Sequence, residues 1–261
     1  MPHENNFLEV ARESGLIQPE KLFDLLQSGT RNIKLVDASY PANLSLPAIG
    51  DAVTFDIDDI ADPDAPLAHT LPSPEIFAAK MQALGVSNDD FVICYDQSGF
   101  IMAASRAWWM FRVFGHDNVA VLDSGLIGWM QKSLPVTAKR TPEPSATPFT
   151  VNYRPGLVID YESMKSISDN RSATILDARP PERFGPDHIP NSENLPALSL
   201  ITPDRRLNPS GFIPKNDSPV VATCGSGVTA CAIALALFNE GKKDVPVYDG
   251  SWTEWSTRTG K

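Results

Sequence analysis

The sequence predicts an α/β protein built from two tandem copies of one domain, each a mainly parallel sheet flanked by helices. Three observations predict it. Short apolar segments alternate with helix-like stretches along the whole chain, the order expected of strand–helix–strand units. Three segments of the first half recur in the second, in the same order and at similar spacing. The chain of 261 residues also exceeds an ordinary single domain, and a Pro-, Thr- and Ser-rich stretch from Leu134 to Gly156 lacks helical periodicity and reads as a linker. The expected divisions are a first domain over 1–138, a linker over 139–152 and a second domain over 153–261.

The first recurring segment is a short apolar strand ending in Asp-Ala, Lys34 to Ser39 and again Thr174 to Arg179. The second runs from Phe91 to Gly99 and from Pro219 to Gly227, which sets Asp96 opposite Cys224. The third pairs Val119 to Gly125, ending at Trp129, with Val245 to Ser251, ending at Trp255. Between these strands, Pro74 to Leu84, Ala103 to Phe114 and Thr229 to Asn239 read as helices. Trp108 and Trp109 within the second of these are read as core or interdomain packing, the usual fate of large rings. Asp123-Ser124-Gly125 and Asp249-Gly250-Ser251 are turn signals.

Charge and composition narrow the function. A formal net charge of −10 opposes attraction to nucleic-acid phosphates or anionic lipid, so neither is an expected partner. The apolar run from Ala230 to Phe238 is too short to cross a bilayer. The first residues, Met1 to Asn6, carry neither the basic nor the apolar region of a secretory signal, and a cytoplasmic address is expected. Three cysteines, Cys94, Cys224 and Cys231, are too few and too irregularly spaced for a disulfide framework or a structural metal site. No metal or organic cofactor is expected.

Cys224 is the cysteine that asks for a chemical explanation. Val220 to Thr223 reads as a buried strand and Ala230 to Phe238 as a helix, so Cys224-Gly225-Ser226-Gly227-Val228-Thr229 must turn the chain between them. Parallel sheets bind ligands where strand C-termini meet helix N-termini. Glycines permit a tight loop there, and its amides with the following helix N-terminus favour an anionic sulfur. A thiolate is the form that attacks sulfur. Buried structural cysteines are commoner than catalytic ones, and that reading is kept for Cys94, inside an apolar strand, and Cys231, among helical alanines. The Gly-Ser-Gly turn sets Cys224 apart. A cysteine loop between strand and helix also describes cysteine-dependent phosphatases, which need a loop arginine for the phosphoryl oxygens. Ala230 stands at that position, and phosphatase chemistry is set aside.

On these residues the chain resembles the tandem-domain rhodanese family. The loop from Cys224 to Thr229 is similar to that of the 3-mercaptopyruvate sulfurtransferase branch, and thiosulfate-using members of the vertebrate type carry basic residues in this loop that are absent here. Phe55 to Asp58, Leu71 to Glu75, Arg106 to His116 and Asp249 to Trp252 extend the likeness over nearly the whole chain. The resemblance implies two rhodanese-like domains, the first inactive because Asp96 stands where a cysteine would. It implies a catalytic group of Cys224 with Ser226, His69 and Asp58, and donor binding by Arg183 with Gly225, Gly227, Val228 and Thr229. The relatives carry a second carboxylate-binding arginine in a longer loop, whereas here Phe184-Gly185-Pro186-Asp187 runs directly into His188. Arg179 and Arg106 are the candidate substitutes, both ranked below Arg183 because such positions more often hold structural ion pairs. The expected activity is sulfur transfer from 3-mercaptopyruvate, a small-molecule donor, through a Cys224 persulfide to cyanide or a thiol acceptor, such as thioredoxin or a low-molecular-weight thiol. Thiosulfate as donor, and a noncatalytic binding module, are the competing readings.

Overall fold

In a computed structural model, which describes residues 2–30, 32–41, 46–139, 144, 148–211 and 218–261, the chain forms two five-stranded parallel sheets. The first half contains α1 (Pro2–Ser14), β1 (Leu16–Ile17), α2 (Pro19–Gln27), β2 (Ile33–Asp37), β3 (Val53–Thr54), α3 (Ile57–Ile60), α4 (Pro74–Ala83), β4 (Phe91–Tyr95), α5 (Met102–Val113), β5 (Val119–Leu122) and α6 (Gly125–Gln131). The second contains β6 (Val158–Ile159), α7 (Tyr161–Asn170), β7 (Thr174–Asp177), α8 (Pro181–Phe184), β8 (Ser192–Asn194), β9 (Val220–Thr223), α9 (Ala230–Asn239), β10 (Val247–Tyr248) and α10 (Ser251–Thr259), with short 3-10 turns at Pro155–Leu157 and Ala197–Leu200. The strand orders are β1-β5-β4-β2-β3 and β6-β10-β9-β7-β8, one topology used twice. Of the expected linker, residues 140–143 and 145–147 lie outside the described residues.

The sequence dictates these elements in simple ways. Every residue of β4 and of β9 is buried, as continuous apolar runs must be in a sheet covered on both faces. Pro74 opens α4 behind Ser73, whose Oγ accepts from the Ile76 amide at 3.3 Å, and Asp160 caps α7 by accepting from the Ser163 amide at 2.8 Å. The three helices expected from the sequence, α4, α5 and α9, begin and end within a residue of their expected bounds, whereas the sequence reading assigned nothing to α1 or to the remaining helices.

α5 and α9 join the halves. Residues Ala103 to Val113 are buried all round α5, and Ala230 to Phe238 all round α9. A helix without a polar face is a core helix. The two pack on one another, with Trp108 edge-on to Phe238 at a ring separation of 5.2 Å. One continuous apolar core contains residues of both sheets and both helices, while smaller cores lie beneath α1, α2 and α6 on one side and beneath α7 and α10 on the other. Burying apolar side chains at such a contact, at about 1.5–3 kcal/mol each, outweighs any surface ion pair between the halves.

Candidate functional site

β9 lies between β10 and β7, and Cys224 follows its last residue. β7 pairs with β8 on one side and with β9 on the other, so the C-terminal ends of β7 and β9 border the point where the strand order reverses. A cleft of about 370 Å³ opens there. Cys224 lines it although only 1% of the residue is exposed, together with Gly225, Ser226, Val228 and Thr229 of the same loop. Ala178 and Arg179 after β7, Arg183 of α8 and the Ala197 turn form the facing wall. Met102, at the start of α5, closes it from the other half of the molecule.

The loop is held from outside. The amide of Trp252 donates to the Cys224 carbonyl at 3.0 Å, and Thr253 donates to the Gly225 carbonyl from its amide at 3.0 Å and its hydroxyl at 2.7 Å. Ser251 Oγ accepts from the Cys224 amide at 3.2 Å and lies 4.0 Å from Sγ, while donating to the Tyr248 carbonyl at 2.7 Å. Ser251 holds this place with a left-handed backbone, φ 50°, where a non-glycine residue is strained. Gly227 has φ +80°, and a Cβ there would stand 2.5 Å from the Asp249 carbonyl oxygen. The N-terminus of α9, which has no side-chain cap, starts at Ala230 beside this loop and adds its positive end.

The other two cysteines are inert by position. Both are wholly buried. Burial pushes the Cys94 thiol far above its ordinary range and the Cys231 thiol up to about 12, so neither is an anion near neutral pH. Cys231 donates to the Gly227 carbonyl at 3.3 Å.

His69 Nδ1 and Asp58 Oδ1 lie 2.9 Å apart, with Tyr40 edge-on to the imidazole at 5.2 Å. Burial and the Asp58 carboxylate raise the Tyr40 hydroxyl above its usual range. Ser226 lies apart from this pair: among the described residues no hydrogen bond joins it to His69 or Asp58, and it lines the Cys224 cleft while they do not.

The arginines divide. Arg183 is exposed at the end of α8, lines the cleft, and its guanidinium has no partner among the described residues. Arg179 is buried and spent: Nε and Nη2 hold both oxygens of Asp177 at 2.9 to 3.1 Å, Nη1 donates to the Arg183 carbonyl at 3.2 Å, and its plane lies over Trp252 at 4.6 Å. Arg106 does not line the cleft; Nη1 meets Asp249 Oδ1 at 2.7 Å and Nη2 donates to the His69 carbonyl at 2.7 Å. The short loop after α8 closes on itself, with His188 stacked on Phe184 at 4.2 Å and its Nδ1 3.1 Å from the Phe184 carbonyl. Arg183 and Arg179 are the only cations on the cleft wall among the described residues.

Asp249, Ser251 and Met102 were missed as site residues in the sequence. The first two carried only a turn signal, and their contacts to Arg106 and Cys224 span 143 and 27 residues. Met102 reaches the cleft from the other half. Among the described residues no cluster of His, Cys, Asp and Glu has the arrangement of a metal site. No helix among them is long and apolar enough to cross a membrane.

Comparison with known proteins agrees with this geometry. The rhodanese-like domain model matches residues 19–132 and again 160–258. The chain is 36% identical to the thiosulfate/3-mercaptopyruvate sulfurtransferase 2 of Arabidopsis thaliana over 290 residues, covering 92% of this chain and 84% of that one. It is 36% identical to the 3-mercaptopyruvate sulfurtransferase of Rattus norvegicus over 279 residues, covering 93% and 92%. The crystal structure of SseA, a 3-mercaptopyruvate sulfotransferase from Escherichia coli, superposes with a TM-score of 0.82 at 31% identity, over 92% of this chain and 99% of that one. With its two matched segments, its repeated sheet topology and this likeness along nearly its whole length, the chain belongs to the rhodanese family.

Proposed function

We propose that the protein is a sulfurtransferase that takes sulfur from 3-mercaptopyruvate onto Cys224 and hands it to a thiol or cyanide. The observation that carries this reading is Cys224 at the end of a central strand, in a cleft where Arg183 is the one unpartnered cation among the described residues. The names of the Arabidopsis and rat relatives supply the donor class.

In the first step the Cys224 thiolate attacks the donor sulfur, an S–S bond forms, and the carbon–sulfur electron pair leaves with the carbon as the enolate of pyruvate. Proton uptake by that carbon completes pyruvate. In the second step an acceptor thiolate or cyanide attacks the outer sulfur of the persulfide, and the electron pair returns to Cys224. No electrons enter or leave from outside. Arg183 supplies a planar fork for the donor carboxylate. Gly225, Gly227, Val228 and Thr229 shape the loop around the sulfur, and Ser226 stands within the cleft where an enolate oxygen would accept a hydrogen bond. His69, with Asp58 at 2.9 Å, is assigned to proton delivery. Arg179 and Arg106, with their terminal nitrogens committed to protein acceptors, are assigned to structure and not to the donor.

The Arabidopsis relative also carries thiosulfate in its name. The loop from Cys224 to Thr229 contains no cation for a dianion, which favours the keto acid. Steady-state kcat/KM for both donors tests the choice. Mercaptopyruvate is expected to be preferred, Cys224→Ser to lose transfer, and Cys94→Ser and Cys231→Ser to keep most of it. A preference for thiosulfate, or an active Cys224→Ser protein, contradicts the proposal. The acceptor, whether thioredoxin or a small thiol, and a cytoplasmic address belong to the same reading.

A further inference from the structure

α5 belongs to the half without a cysteine at its loop, yet Arg106 on its second turn reaches into the other half. The residue is wholly buried. Its Nη1 bonds Asp249 Oδ1 at 2.7 Å and lies 3.5 Å from the Gly227 carbonyl, its Nη2 donates to the His69 carbonyl at 2.7 Å, and its plane lies over Trp109 at 4.7 Å. The second oxygen of Asp249 accepts from the Leu71 amide at 2.8 Å. One guanidinium and its carboxylate thus tie together three separate segments: the Cys224 loop at Gly227, the turn after β10, and the segment from His69 to Leu71. Contact between the loop and the turn is already tight, since a Cβ on Gly227 would come within 2.5 Å of the Asp249 carbonyl. His69 itself is held at φ 63°, a backbone state that needs support from its surroundings.

We infer that Arg106 is a positioning residue for sulfur transfer, fixing the Cys224 loop and the His69 turn against each other from the half whose own loop carries Asp96 in place of a cysteine. The inference rests on the proposed activity. It gives that half a part in the reaction that Asp96, in place of a cysteine, cannot give it. Lysine is not equivalent, because one ammonium cannot span acceptors that lie on two arms of a planar fork. A misplacement of roughly 1 Å among reacting groups can cost about a hundredfold in rate.

The test uses the full chain with Arg106→Lys, Arg106→Met, and Arg106→Met combined with Asp249→Asn; the last leaves no carboxylate buried alone. The readouts are kcat and KM for 3-mercaptopyruvate, the rate at which iodoacetamide alkylates Cys224, and near-UV circular dichroism. The expected result is a fall in kcat of tenfold or more, on the order expected for displaced reacting groups, with KM little changed. An altered alkylation rate and no rescue by lysine are also expected. Recovery of kcat by lysine, a raised KM at unchanged kcat, or a folded double variant that behaves as wild type would overturn the inference. If the methionine variants do not fold, Arg106→Lys, which keeps the charge, decides. If wild type transfers no sulfur from any donor, the proposed activity fails, while the alkylation rates still decide whether Arg106 sets the loop.

Discussion

Asp96 and Cys224 stand at equivalent ends of equivalent strands, and the first loop closes on its own carboxylate. Asp96 Oδ1 accepts from Ser98 Oγ at 2.7 Å and from the Gly99 amide at 3.0 Å, with the Ala104 amide 3.5 Å from Oδ2. Burial outweighs these bonds and raises the carboxyl above its usual range. A carboxyl with a raised folded pKa stabilises below its unfolded value and loses that contribution as pH rises through the folded one, so ionised Asp96 is a cost at neutral pH. Asp96→Asn keeps an oxygen for Ser98 and Gly99 and removes the charge. Its melting temperature is expected to equal or exceed wild type at pH 7, with the difference shrinking on acidification. Asp96→Ala strands the donors and is expected to lose about 1–3 kcal/mol, with turnover of the folded protein largely kept. A folded Asp96→Ala protein without turnover would contradict the scaffold assignment. At Arg183 the exposed guanidinium, unpartnered among the described residues, makes a different expectation. Arg183→Ala should weaken kcat/KM for mercaptopyruvate by about 2–4 kcal/mol if the carboxylate pair is desolvated, and lysine should restore part. Unchanged mercaptopyruvate turnover in Arg183→Ala would remove Arg183 from the donor site.

Among the elements, the loop from Cys224 to Thr229 was legible because a Gly-Ser-Gly turn between a buried strand and an apolar helix is a local pattern. Its two glycines are not equivalent. Gly227 needs its left-handed φ and has no room for a Cβ, whereas nothing lies within 4 Å of a Cβ on Gly225. Gly227→Ala is expected to lose stability on the order of 1–3 kcal/mol and most sulfur transfer, and Gly225→Ala to melt as wild type. Equal melting of the two variants would refute the asymmetry. The helices α4, α5 and α9 were legible from composition and periodicity, but α1 was not, since its sequence from Pro2 to Ser14 has few apolar residues and its support comes from β5 and α9. Ser251 and Asp249 were illegible as site residues for a related reason. A turn signal says how the backbone bends, and only the tertiary fold brings Ser251 Oγ to the Cys224 amide or Asp249 to Arg106.

For the molecule as a whole, the repeat in the sequence corresponds to two sheets of identical strand order, and the difference between the halves is chemical. The aspartate ending the first strand of each recurring set shows it. Asp177 is neutralised from its own half by Arg179 at 2.9 Å, whereas Asp37 is met by Lys139, after α6, at 2.8 Å. The cleft likewise draws on both halves, with Met102 on its wall and Arg106 behind the loop. The proposed transfer depends above all on sulfur resting on Cys224 between donor and acceptor. Mass spectrometry of the peptides after treatment with 3-mercaptopyruvate, without reductant, reads this directly. One added sulfur atom is expected on the Cys224 peptide, with its removal by a thiol acceptor, and none on Cys94, Cys231 or the Cys224→Ser protein. An unmodified Cys224 in protein that turns over the donor, or added sulfur on Cys94 or Cys231 instead, would contradict it.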